Sequence, residues 1–111
     1  MSAIHLNQEN FQATVEKSDV PVLIDFWAPW CGPCQAMSAV VDEVADELEG
    51  KAIVAKVNVD EASELAGKFG VASIPAFAVL KDGEVQAQTV GAMPKFTCTV
   101  MNGFGAAWSG G

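Results

Sequence analysis

The sequence predicts an α/β domain, a central mixed β-sheet flanked by helices on both faces, and three observations carry that prediction. Residues 20–28 (VPVLIDFWA) and 52–59 (AIVAKVNV) are nearly continuous apolar runs of strand length, the pattern of strands covered on both sides. Between them, residues 34–49 switch to a helical period, and such an alternation favours parallel strands joined by a right-handed crossover. Residues 76–80 and 84–90, separated by Lys81-Asp82-Gly83, then read as an antiparallel hairpin, so the sheet must be mixed.

In chain order, residues 7–17 can form a short helix with Asn7 as its N-cap and Phe11, Ala13 and Val15 as apolar contacts, although the periodicity is poor. The run at 20–28 is the central strand. In the helix at 34–49, Met37, Val40, Val41, Val44 and Leu48 share one face, while Asp42, Glu43, Asp46, Glu47 and Glu49 take the others and Gly50 can end it. The second strand comes at 52–59, then a short helix at 61–69 closed by Gly70.

Composition narrows the function classes. The chain has 111 residues, enough for one domain with a real core, and no linker-like block divides it. A formal net charge of −8, with six Lys and Arg, argues against nucleic acid or an anionic membrane surface as partner. The opening MSAIHLNQEN has neither the basic start nor the apolar core of a signal peptide, and no apolar run approaches a membrane span. A cytoplasmic monomer is the expectation. Three cysteines do not make a secreted disulfide framework; two close together and one distant suggest a site and a bystander.

The close pair lies in FWAPWCGPC, where the central strand hands over to the long helix. Unpaired N–H groups and the positive dipole end of a helix N-terminus stabilise a thiolate, the species that attacks disulfides. Cys31 is the exposed end of this arrangement and the attacking sulfur. Cys34, one turn in, can attack Cys31 once it carries a substrate sulfur, leaving a Cys31–Cys34 disulfide. Pro33 fixes its own φ and holds the sulfurs close, and Gly32 lets a partner's backbone approach. A zinc ligand pair is the competing reading; it needs two more ligands, and the remaining Cys98 and His5 are not in a paired spacing.

Asp25 stands inside LIDFW, where a buried charge is costly and burial raises a carboxyl pKa. Lys56 is the matching anomaly in AIVAKVNV; a lysine that snorkels to water without a catalytic part explains it almost as well.

Residues 25–34 (DFWAPWCGPC), Ser73-Ile74-Pro75, Lys81-Asp82-Gly83 and Val90-Gly91-Ala92 together resemble the thioredoxin family over about residues 1 to 95. The resemblance implies the thioredoxin fold and a protein dithiol–disulfide oxidoreductase that reduces disulfide-containing protein substrates. It implies recharging by a thioredoxin reductase, so that NADPH and flavin act only indirectly and no cofactor or metal is bound. It gives Asp25 the role of exchanging a proton with Cys34 through water, and places Lys56 beside Asp25 as a modulator. It makes the Ile74–Pro75 bond cis and sets that loop against the cysteines, where the Ile74 backbone can pair with an extended substrate. Trp30, Gly32, Pro33, Ile74, Pro75, Val90, Gly91 and Ala92 would then form the docking surface, with Trp27 as support beneath it.

The chain departs from the family at several positions. Gln35 and Ala36 replace a lysine and an apolar residue, Ala39 a helix-kinking proline, and Ala76 a threonine; none removes a reacting group, but each can shift redox poise. After Met93-Pro94-Lys95 relatives have a charged amphipathic helix, whereas this chain reads FTCTVMNGFGAAWSGG. Phe96, Val100, Phe104 and Trp108 make an apolar stripe, yet Gly103 and Gly105 each cost about 1 kcal/mol inside a helix. The expectation is a helix over 94–102 and a loose segment over 103–111, with Cys98 a small packed residue rather than a regulatory thiol. The same fold also serves disulfide oxidases and isomerases, against which Gly-Pro between the cysteines argues. A non-catalytic module that binds a partner through Trp30, Ile74 and Ala92 is the alternative from another class.

Overall fold

The computed structural model describes residues 3–90, apart from the Thr89 side chain. Five strands, β1 (Ile4–His5), β2 (Val22–Trp27), β3 (Ile53–Asn58), β4 (Ala76–Lys81) and β5 (Glu84–Val90), form one sheet in the order β1-β3-β2-β4-β5. β3 runs parallel to β2 and to β1, whereas β4 is antiparallel to β2 and to β5, so the sheet is mixed. Helix α1 (Gly32–Glu47) provides the crossover from β2 to β3, and α2 (Ser63–Lys68) leads toward β4.

Alternation along β2 explains why both faces are covered. Val22, Ile24 and Phe26 join Phe11, Val15, Leu65 and strand residues Ala55, Val57, Ala76, Ala78 and Leu80 in one core. Leu23 faces the other way and packs with Met37, Val41 and Val44 of α1, with Leu48 at its C-cap, and with Val54, Phe77 and Val79. A strand apolar on both faces is the physical reason for its central place. Asp25 belongs to the α1 face by the same alternation, and it is buried.

Several boundaries differ from expectation for local reasons. Cys31, not a residue near Cys34, caps the long helix, because Gly32 and Pro33 already take its first turn. It ends at Glu47, two residues before the expected Glu49, with Leu48 rather than Gly50 as the C-cap, and Gly50 takes the left-handed region at φ 83° in the turn that follows. Asn7 is not the helix N-cap, a position Phe11 takes; its side chain holds the turn at 8–10 before it, its Oδ1 accepting from the N–H groups of Glu9 and Asn10 at 2.8 and 2.9 Å. The chain then makes a π-helical turn over Gln12–Glu16 with Phe11 and Val15 buried, while Ala13 is exposed rather than packed. α2 starts later than residue 61 because Asn58 holds a turn there, its Oδ1 accepting from Asp60 N–H at 2.9 Å.

The short β1 was not expected; two residues carry no readable alternation, and pairing to β3 alone makes them a strand. The hairpin forms as expected except that Lys81 joins β4 and pairs with Glu84, leaving Asp82 and Gly83 at φ 54° and 78° to supply the two positive dihedrals of a type I′ connection. Gly91, Ala92, the helix expected over 94–102, Cys98 and the segment 103–111 lie outside the described residues.

Candidate active site

The chain leaves β2 at Trp27, turns through Ala28–Trp30, where Cys31 N–H donates to Ala28 O at 3.1 Å, and enters α1. Cys31 therefore sits at the N-cap, and Cys34 one turn further in. The two form a disulfide with their Cα atoms 5.2 Å apart. The Cys34 N–H, one of the free donors of the first turn, points to Cys31 Sγ at 3.2 Å. A thiolate on Cys31 would gain that bond and the favourable end of the helix dipole.

Cys31 is not an exposed end, however. It is only 5% exposed, against 2% for Cys34, because Ala28, Trp27, Val59 and Ile74 pack around the pair. Beside the pair lies a depression of about 370 Å³ lined by Trp30, Val59, Val71, Ala72, Ser73 and Ile74, of which Val59 and Ile74 also pack against the cysteines. Trp30 is 68% exposed on its rim, with its indole N–H donating to Asp60 Oδ2 at 2.9 Å. The Ile74–Pro75 bond is cis, Ile74 lies against the cysteines, and Pro75 is buried at the start of β4. Gly32 and Pro33 are exposed, and a Cβ on Gly32 would meet nothing, so that side of the loop is open to a partner. Val90, at the end of β5, is exposed.

Behind the disulfide lies a second space, a cavity of about 280 Å³ lined by His5, Asp25, Trp27, Cys34, Gln35, Ser38 and Lys56. It has room for several water molecules between Asp25 and Cys34. Asp25 is 2% exposed, and among the described residues its Oδ1 has no hydrogen-bond partner, nor has the Trp27 indole nitrogen. Burial pushes the Asp25 carboxyl up from 3.8 to about 7; the Lys56 charge lowers it and the Asp42 charge raises it.

Lys56 is beside Asp25 in the strand register, as the sequence resemblance implied. Its ammonium group goes elsewhere, donating to Ser38 Oγ at 2.9 Å and pairing with Asp42 Oδ1 at 3.2 Å. It is buried and held, not snorkelling into water. Ser38, Asp42 and Asp60 are the site residues that sequence reasoning missed, and His5 was weighed only as a metal ligand. A signal existed: a buried lysine needs partners, and Ser38 and Asp42 stand four apart on the helix that starts at the cysteines. Gln35, where the resemblance led one to look for a cation, donates its side-chain amide to Pro29 O.

Comparison with known proteins gives a consistent family. Residues 2–101 match the family model described as Thioredoxin. The thioredoxin of Haemophilus influenzae is 48% identical over 92 residues, 83% of this chain and 86% of that protein. The thioredoxin of Chlorobaculum thiosulfatiphilum is 52% identical over 87 residues, 78% and 81% of the two chains. Thioredoxin 1 of a Nostoc species is 48% identical over 96 residues, 86% of this chain and 90% of that protein.

Proposed function

Because this chain belongs to the thioredoxin family and is a dithiol–disulfide oxidoreductase, we propose that it runs as a reductant of protein disulfides, with Cys31 attacking and Cys34 resolving. The observation that carries this reading is the placement of the pair: Cys31 at a helix N-cap, packed against Val59 and Ile74, which also line the open depression, and Cys34 facing the cavity that holds Asp25.

The thiolate of Cys31 attacks a substrate disulfide, forms a mixed disulfide and releases one substrate thiolate. Cys34 gives its proton to the Asp25 carboxylate, directly or through water, and its thiolate then attacks the Cys31 sulfur. The Cys31–Cys34 disulfide forms, and the second substrate thiolate leaves and takes up the proton. Two electrons have passed to the substrate. Trp30, Gly32, Pro33, Ile74, Pro75 and Val90, with Gly91 and Ala92 beyond the described residues, are the docking surface in this reading, supported from below by Trp27. An extended substrate strand pairs with the Ile74 backbone. Recharging falls to a thioredoxin reductase carrying flavin and drawing on NADPH, in a reducing cytoplasmic compartment. Among the described residues no helix is long and apolar enough to cross a membrane.

Cys34→Ser tests the order of events. Incubated with a disulfide-bonded model protein, this variant is expected to accumulate a mixed disulfide on Cys31, identified by peptide mass mapping, while Cys31→Ser accumulates none. A mixed disulfide on Cys34, or turnover by Cys31→Ser, reverses the assignment. A reduction potential matching disulfide oxidases would overturn the reductant direction.

A further inference from the structure

We propose that Asp42 is a positioning residue of this site: with Ser38 it anchors the Lys56 ammonium away from Asp25, and so governs how readily Asp25 takes up and holds a proton. The inference rests on the reading of Asp25 as the proton acceptor of Cys34.

The geometry is specific. β2 and β3 run parallel with Asp25 directly beside Lys56, so the two side chains leave the sheet as neighbours on the α1 face. Opposite charges so placed attract strongly where water is excluded, and a free ammonium would settle on the carboxylate. It does not. Ser38 and Asp42, one helical turn apart on α1, take the ammonium at 2.9 and 3.2 Å, and Asp25 Oδ1 is left without a partner among the described residues. Asp42 thus neutralises the cation nearest Asp25 and adds a negative charge of its own.

The other groups facing the cavity do not replace it. β1 contributes His5, in register with Lys56 on the far side of β3, and α1 contributes Cys34, which is bonded to Cys31. β4 brings Phe77 opposite Asp25, which carries no charge. A proton acceptor works best when its midpoint lies near the working pH, so that it can both accept and return the proton. With Lys56 resting on it, Asp25 would stay an anion and return the proton poorly. Asp42 prevents this from the far side of the lysine, without touching a reacting atom.

The test tracks the Asp25 carboxyl through a pH titration by ¹³C NMR in the oxidised protein, where Cys31 and Cys34 do not titrate. Asp42→Asn is expected to lower the Asp25 midpoint by about one pH unit or more, as a freed cation turns onto it. Lys56→Gln is expected to raise it. In the Lys56→Gln background, Asp42→Asn should have less than half its effect, the signature of action through the lysine. Asp42→Glu, which keeps the anion, should restore the midpoint toward that of the parent, and Ser38→Ala should lower it in part. The proposal is overturned by an unmoved midpoint in a folded Asp42→Asn protein, or by an equal drop with and without Lys56. Failure of the underlying reading looks different: Asp25→Asn would leave the pH profile of Cys34 attack on a mixed disulfide unchanged, whatever Asp42 does to the titration.

Discussion

Burying one carboxyl group in the central strand gives the protein a pH dependence opposite to that of most acidic residues. Asp25 holds its proton up to about pH 7 in the folded chain, against an ordinary 3.8. Between those values the folded state binds a proton that the unfolded state has released, so stability falls as pH rises from about 4 to 7 and then levels off. At pH 8 the ionised, buried Asp25 costs on the order of 4 kcal/mol. Asp25→Asn is therefore expected to stabilise the protein by roughly that much at pH 8 and little at pH 4, as read by urea unfolding across the range. No gain at pH 8 would mean that the carboxyl is not raised by burial. The cysteines and Asp25 were legible in the sequence because each breaks a local rule: thiols at a helix start, a charge inside an apolar run. Asp42 breaks none. It sits among the acidic residues of an amphipathic helix, its side chain still 43% exposed, and no spacing announces that the packing of α1 beside β3 brings Lys56 to it.

Elements whose signal is local were the readable ones. The hairpin has Asp82 and Gly83 with positive φ between paired Lys81 and Glu84, a geometry those residue types favour by themselves. Gly83→Ala is expected to lower stability by about 1–2 kcal/mol through backbone strain alone, since the added Cβ would stand 3.7 Å from the nearest atom, an ordinary contact. Chemical denaturation should show that loss while disulfide turnover stays unchanged. A larger loss, or a loss of turnover, would mean that the turn is coupled to the site. Elements that depend on partners were less readable. The two residues of β1 gain their strand geometry from β3, and Gln12–Glu16 forms a π-helical turn that no periodicity announced. The start of α1 was misplaced by two residues because Gly32 and Pro33 look hostile to a helix, although proline is well suited to a first turn.

Two cores, one on each face of the sheet, meet through β2, so a large residue in that strand supports the whole molecule. Phe26 is fully buried on the face opposite α1, near Phe69 with ring centroids 5.4 Å apart. Phe26→Ala is expected to cost about 3–5 kcal/mol, seen as a lower denaturation midpoint with an unchanged slope. A loss below about 1 kcal/mol would show that the face can collapse around the gap. Apolar runs, helical periods and turn residues determined the α/β class, the mixed sheet and the handover from strand to helix that presents the cysteines, because those preferences act over a few neighbouring residues. Only the tertiary structure decided how deeply Cys31 is covered, that Ile74 seals one side of the disulfide, and that Lys56 turns from its strand neighbour to Ser38 and Asp42. Those outcomes join residues far apart in the chain, and which partner a buried charge finds is a competition that sequence spacing does not express.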